Sequence, residues 1–382
     1  MKEIKRSKKK IVALYLPQFH VIPENEKWWG GGFTEWTNTK KARPLFEGHY
    51  QPKTPLNENY YDLSDVTVME RQAELAKKYG IFGFCYYHYW FKNGKKLLEK
   101  PIENMLGDPK VDIPFCLCWA NENWSKNWDG GNREVIMEQD YGSIEDWEKH
   151  FQYLIAFFND PRYIIIDNKP LFVIYKPEQI ESLNEMVDYW SKRSKEEGFD
   201  GIVIVRQFPN SMYDPEFDDS RIDYSMKFQP ASTQAYRHYC INNKPYRISN
   251  GKNRIKRLIK SLLPDSIIKC IAKQPTNQKL TIENYDDAWD IILNQEPFNE
   301  KLINGAFVDW DNTARNVNGR MYQGASPEKF QRYMKALIEK ESALDLIFIN
   351  AWNEWAEGAY LEPDEKYKFA YLEALQAALI EQ

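Results

Sequence analysis

The stretch Asp345-Leu346-Ile347-Phe348-Ile349-Asn350-Ala351-Trp352-Asn353-Glu354-Trp355-Ala356-Glu357-Gly358-Ala359-Tyr360-Leu361-Glu362-Pro363-Asp364 decides how the rest of the chain is read. Leu346 to Ile349 is a short continuous apolar run, the pattern of a parallel strand covered on both faces. It runs directly into Asn350, Trp352, Asn353, Glu354 and Glu357, so carboxylates sit where a strand ends. Glu354 and Glu357 are spaced i, i+3, and a helical turn there would put both on one side of the backbone. Two acids held between aromatic walls repel each other and lose hydration, which lets one stay protonated while the other is ionised. Glycoside cleavage needs that division of labour, whereas most Glu pairs at this spacing are solvated helix-start residues. Phe348, Trp352, Trp355 and Tyr360 around the pair favour the first reading.

Outward from this stretch, short apolar runs alternate with helical periodicity. Eight strands are predicted: Lys10 to Leu16, Gly80 to Tyr86, Ile113 to Trp119, Leu171 to Tyr175, Gly201 to Arg206, Asp223 to Phe228, Gly305 to Asp309 and Leu346 to Ala351. Helices are predicted over Asp65 to Tyr79, Lys95 to Leu106, Ile144 to Asn159, Glu178 to Glu197, Asn284 to Gln295, Ser326 to Lys340 and Glu365 to Ile380. The fold class expected is α/β, a single-domain (β/α)8 TIM barrel over 10–382, with its active site at the C-terminal strand ends. Polar and aromatic residues follow each strand, among them His20, His88, Asn121, Glu122, Trp124, Gln207, Trp310 and Asn353.

Two long connections interrupt the rhythm. Val21 to Asn59 carries Trp28, Trp29, Phe33, Glu35 and Trp36, and is expected to fold over the barrel mouth. An insertion at about 231–282 is locally basic, with an amphipathic stretch at about 251–263; it suits a lid, an oligomer contact, a peripheral membrane contact or a plain solvated loop.

The chain has 382 residues, 43% apolar, enough for a large core. Its net charge of −5 argues against general nucleic-acid affinity. No apolar run is long enough for a membrane helix. Residues 1–9 read as a basic disordered tail rather than a secretory leader, which points to a cytoplasmic protein. Cys85, Cys116, Cys118, Cys240 and Cys270 are scattered, fitting reduced buried thiols better than disulfides or zinc ligands. Aromatic residues make up 15% of the chain, and their faces suit the C–H faces of sugar rings.

Several Trp-rich strings resemble the glycoside hydrolase family 99-like proteins called WbsX, found in bacterial polysaccharide gene clusters. They are Tyr15-Leu16-Pro17-Gln18-Phe19-His20, Trp28-Trp29-Gly30 with Gly32-Phe33-Thr34-Glu35-Trp36-Thr37-Asn38, Trp119-Ala120-Asn121-Glu122-Asn123-Trp124 with Trp128-Asp129-Gly130, and Asn350 to Gly358. Family 99 relatives are retaining endo-α-1,2-mannan hydrolases with Glu-Trp-x-Glu-Gly at the last strand. The resemblance implies that Glu354 deprotonates the sugar 2-hydroxyl, which attacks C1 to give a 1,2-anhydro sugar, and that Glu357 is the acid and then the base. Ala356 stands where the mannan hydrolases commonly have His, a departure that bears on sugar and linkage.

The catalytic residues expected are thus Glu354 and Glu357. Substrate contacts are expected from Tyr15, His20, Glu35, Trp36, His88, Trp119, Asn121, Glu122, Trp124, Tyr175, Arg206, Asp309, Trp352, Asn353 and Trp355, with an oligo- or polysaccharide as partner and neither metal nor cofactor. Glu122 is an alternative acid, since Asn-Glu at a strand end occurs in other retaining barrels. Asp309-Trp310-Asp311 matches the metal grip of sugar-nucleotide transferases, but no Gly-rich phosphate loop follows the first strand. A glycosyltransferase of O-antigen, lipopolysaccharide or capsule assembly is the main alternative, and a non-catalytic glycan-binding protein the third.

Overall fold

The computed structural model describes residues 7–125, 135–208, 217–242, 279–295 and 301–380. Eight parallel strands form its centre: β1 (Lys10–Tyr15), β2 (Ile81–His88), β3 (Phe115–Trp119), β4 (Lys169–Ile174), β5 (Val203–Phe208), β6 (Tyr224–Lys227), β7 (Leu302–Phe307) and β8 (Leu346–Asn350). Each pairs with the next in chain order, and β8 returns to β1 with Ala13 opposite Ile349. The sheet is therefore a closed (β/α)8 barrel, with every predicted strand in its place. Close approach of β6 and β7 explains one glycine: a Cβ on Gly305 would lie 1.7 Å from the Lys227 carbonyl oxygen.

The strands read clearly because their residues are buried on both faces. One face packs on the helices, as Tyr15, Phe84, Tyr86 and Phe115 do in a chain of ring contacts that ends on Phe157. The other fills the lumen. There Cys118 Sγ reaches Gln207 Oε1 at 3.1 Å, and Gln207 Nε2 donates to the Tyr87 hydroxyl at 3.2 Å, linking strands that are not neighbours. Cys85, Cys116 and Cys118 are free and buried, while the side chains of Cys240 and Cys270 lie outside the described residues.

Ten helices accompany the barrel among the described residues: α1 (Pro23–Trp29), α2 (Glu35–Lys41), α3 (Val66–Lys78), α4 (Lys100–Gly107), α5 (Ile144–Phe158), α6 (Leu183–Glu196), α7 (Ala231–Asn242), α8 (Tyr285–Asn294), α9 (Pro327–Ile338) and α10 (Ala370–Ala378). α9 shows why the pattern was legible. Ser326 caps it, Pro327 occupies its first turn, and Phe330, Tyr333, Met334, Leu337 and Ile338 form one buried stripe. Truncating fully buried Phe330 to alanine should cost about 3–5 kcal/mol.

Differences from the sequence expectations are local. α4, α6 and α10 begin five residues late. Before α6 the chain makes a 3-10 turn at Pro177–Gln179, and before α10 Lys368 has φ 51°, a left-handed residue that no α-helix passes through. The long connection after β1 contains α1 and α2, which were not predicted. Residues 7–9, expected in the tail, are tied down: Ser7 N–H donates to the Leu379 carbonyl at 3.0 Å, and Lys9 Nζ pairs with Asp345 at 2.8 Å. Within the 231–282 insertion, α7 opens the segment and Thr281–Asn284 pairs in parallel with Arg320–Gln323; the amphipathic stretch at 251–263 lies outside the described residues. No described helix is long and apolar enough to cross a membrane.

Candidate active site

After β8 the chain forms a small hairpin, with Asn353 opposite Tyr360 and Glu354 opposite Ala359, closed by a 3-10 turn at Trp355–Glu357. Gly358 ends that turn at φ 64°, where an added Cβ would lie 3.0 to 3.2 Å from Asp311 atoms. Its geometry is fixed from three sides. Asn353 clamps β1: its Oδ1 accepts from Leu16 N–H at 2.7 Å and its Nδ2 donates to the Leu16 carbonyl at 3.0 Å. The Asp311 N–H donates to the Glu357 carbonyl at 2.6 Å. From behind, Glu362 accepts from Trp355 Nε1 (2.7 Å), the Tyr61 hydroxyl (2.8 Å) and Gln72 Nε2 (2.7 Å).

The hairpin presents Glu354 and Glu357 to a cleft of about 490 Å³ at the C-terminal strand ends, walled by aromatics that include Trp29, Phe33, Tyr87, Tyr89, Trp124 and Tyr175. One cation serves both acids. Arg315, just past the 3-10 turn Asn312–Ala314, pairs through Nη1 with Glu357 and shares Nη2 between Glu35 (3.0 Å) and Glu354 (3.3 Å). The Arg315 guanidinium thus faces three carboxyl groups.

The imbalance appears in the proton affinities. Burial first, then repulsion from Glu357 and Glu35, pushes Glu354 up to about 8 against the pull of Arg315. Burial also raises Glu357, with Glu35 adding to the rise and Arg315 opposing it. Near neutral pH the site keeps a proton on Glu354, so one acid and one base can coexist.

The family described as "Glycosyltransferase WbsX" matches residues 11–375. The chain belongs to the WbsX family. This WbsX chain is 33% identical over 384 residues to the protein WxcX of Xanthomonas campestris pv. campestris, both in strain ATCC 33913 and in strain B100. The match covers 97% of this chain and 49% of WxcX, so the chain spans about half the length of the curated relatives it matches. Among solved structures it resembles a glycoside hydrolase-like protein (TM-score 0.57, 14% identity, 100% of this chain and 96% of that one). It also resembles the GH99 endo-alpha-mannosidase of Bacteroides thetaiotaomicron (TM-score 0.52, 13% identity, 98% and 96%). At such identities the likeness is one of fold.

In this WbsX structure the predicted residues divide into groups. Glu354, Glu357, Glu122, Trp124 and Tyr175 line the cleft, with Glu122 ion-paired to Lys176. Asn121 and Asn353 instead clamp backbone, Asn121 bonding the N–H and carbonyl of Lys176 at 2.7 and 2.8 Å. Tyr15, His88 and Trp119 point outward. Tyr15 donates to Gln72 of α3 at 2.6 Å, His88 pairs with His150 of α5 at 2.8 Å, and Trp119 packs on His150 and Trp190. Trp352 is fully buried against Phe84, Trp355 stacks on Tyr360 at 3.8 Å, and Trp36 donates to the Tyr61 carbonyl at 2.8 Å. His20 is buried, Arg206 pairs with Glu178, and Asp309 pairs with Lys53 at 3.2 Å.

The Asp309-Trp310-Asp311 motif does not present two parallel carboxylates. Asp311 accepts from Gln51 Nε2 and Thr313 Oγ1 and bonds His49 Nε2, so it ties the loop after β1 to the loop after β7. Burial opposes its ionisation, but Lys53 and these bonds outweigh burial and hold it below the ordinary carboxylate range. Sequence reading missed Arg315, and it placed Gln18, Tyr87 and Tyr89 at strand ends without naming them as contacts. Charge balance could have found Arg315, since three buried acids require a cation.

Proposed function

We propose that this chain is a glycan-active enzyme that cleaves, or transfers, an α-linked mannose-type or related glycan with retention, using Glu354 and Glu357. The observation that supports this best is the acid pair sharing one guanidinium on the floor of an aromatic cleft. In the scheme implied by family 99, Glu354 accepts the proton of the sugar 2-hydroxyl while O2 attacks C1. The C1–O bond to the leaving group breaks, and Glu357 donates a proton to that oxygen. Water then attacks C1 of the 1,2-anhydro sugar, giving its proton to Glu357 as the C1–O2 bond opens and O2 recovers its proton from Glu354. Each half of the cycle needs one proton on the pair; because burial favours that proton on Glu354, the scheme requires it to pass to Glu357 before Glu354 can act as the base.

The family description favours a second reading, a glycosyltransferase. Incubating wild type, Glu354→Gln and Glu357→Gln with α-linked oligosaccharides, with and without sugar nucleotides, separates the two by mass. Donor-independent cleavage by wild type alone supports the hydrolase. Chain extension that requires a nucleotide donor overturns it, and binding that survives both substitutions without turnover indicates a binding protein.

A further inference from the structure

Of the three carboxyl groups on Arg315, Glu35 is the one that the proposed chemistry does not use. It lies on α2, its side chain has no solvent exposure, and it is absent from the cleft lining, so it has no path to a sugar. Its Oε2 nevertheless holds Arg315 Nη2 at 3.0 Å, closer than Glu354 does at 3.3 Å, while Oε1 has no hydrogen-bond partner. A buried carboxyl with one oxygen on the guanidinium and the other unmatched is costly unless the cation needs anchoring. α2 is well placed to be the anchor, since Glu35 N–H donates to the Gln18 carbonyl at 3.2 Å and Trp36 is locked to Tyr61.

We propose that Glu35 is a positioning residue that holds Arg315 on the Glu357 side of the acid pair, so that Glu354 receives only a shared guanidinium nitrogen. This rests on the reading of Glu354 and Glu357 as the catalytic pair. With Nη2 committed to Glu35, Glu354 is the acid with the weakest claim on the cation, and the buried charge of Glu35 adds repulsion. Glu354 is the member of the pair that keeps its proton into the alkaline range. Other titratable groups facing the pair are Tyr87 in β2 and Tyr89 just after it, Cys118 of β3, Tyr175 after β4, and Glu122 in the cleft lining. Burial raises Tyr87, Tyr89 and Tyr175, so they carry no charge near neutrality.

The test is a titration that needs no turnover. Protein labelled with carboxyl-13C glutamate is followed by NMR across pH, with Glu354→Gln and Glu357→Gln spectra assigning the two signals. In Glu35→Gln, which keeps shape and loses charge, the Glu354 midpoint should move down by about one unit or more, a tenfold change in proton affinity. Glu35→Asp, which keeps charge but withdraws from Arg315, should move it by less. Arg315→Gln should move both midpoints up, and this variant decides the matter if the Glu35 variants do not fold. An unchanged Glu354 midpoint in folded Glu35→Gln, or unchanged midpoints in Arg315→Gln, overturns the proposal. If no glycan is turned over but the midpoints shift, the positioning role stands and only the proposed reaction fails.

Discussion

Raising the pH through 8 perturbs one group in the cleft more directly than any substitution. Glu354 is held up to about 8, so the pair carries its last proton in about nine-tenths of molecules at pH 7 and about one-tenth at pH 9. The proposed scheme starts from a pair that holds one proton, passed to Glu357 before the leaving group departs, so kcat/KM should fall about tenfold between pH 7 and pH 9. Initial rates on an α-linked oligosaccharide, measured across pH 5 to 10 by chromatography of released sugar, read this directly. Stability has a matching sign. A carboxyl raised in the fold from 4.5 to about 8 stabilises the protein fully below 4.5 and loses that contribution as pH rises through 8, so assays belong well below the thermal midpoint at each pH. A rate that stays flat or climbs from pH 7 to 9 would refute the reasoning.

Three further outcomes follow from the geometry. Glu362→Gln keeps the volume but cannot accept from Trp355, Tyr61 and Gln72 together, and should lower stability by about 1–3 kcal/mol in urea unfolding; an unaltered midpoint would contradict the hydrogen-bond network. Gly358→Ala, at φ 64° with Asp311 at 3.0 Å, should cost about 1–2 kcal/mol and lower the rate, while the same change at solvent-facing Gly107 should leave the rate untouched. Burial pushes His88 down to about 3 from 6.5, so its neutral pair with His150 contributes stability above 6.5 that is lost as pH falls toward 3; replacing both with Phe should flatten that part of a thermal-midpoint profile.

The barrel was legible because buried parallel strands are continuous apolar runs and helices such as α9 carry one stripe and a cap. α1 and α2 escaped notice because each is seven residues long, and their apolar residues alternate with buried polar groups such as Asn25, Glu35 and Asn38. The motif strings were harder to apportion for a physical reason. A strand sends successive side chains to opposite faces, so Tyr87 enters the cleft while its neighbour His88 faces α5, and sequence proximity to a motif does not say which. Arg315 lies outside every string, and only the folded chain brings its charge beside Glu35 and Glu354, hundreds of residues and a few dozen residues away respectively.

The clamp of Asn353 on Leu16 and the bond from Asp311 N–H to the Glu357 carbonyl involve neither the Glu354 nor the Glu357 carboxyl. The acids are therefore mounted by their backbone, as electrodes are by their casing. Protons can come and go at the tips through the proposed cycle without the mounting being renegotiated, and each proposed intermediate would meet the same frame.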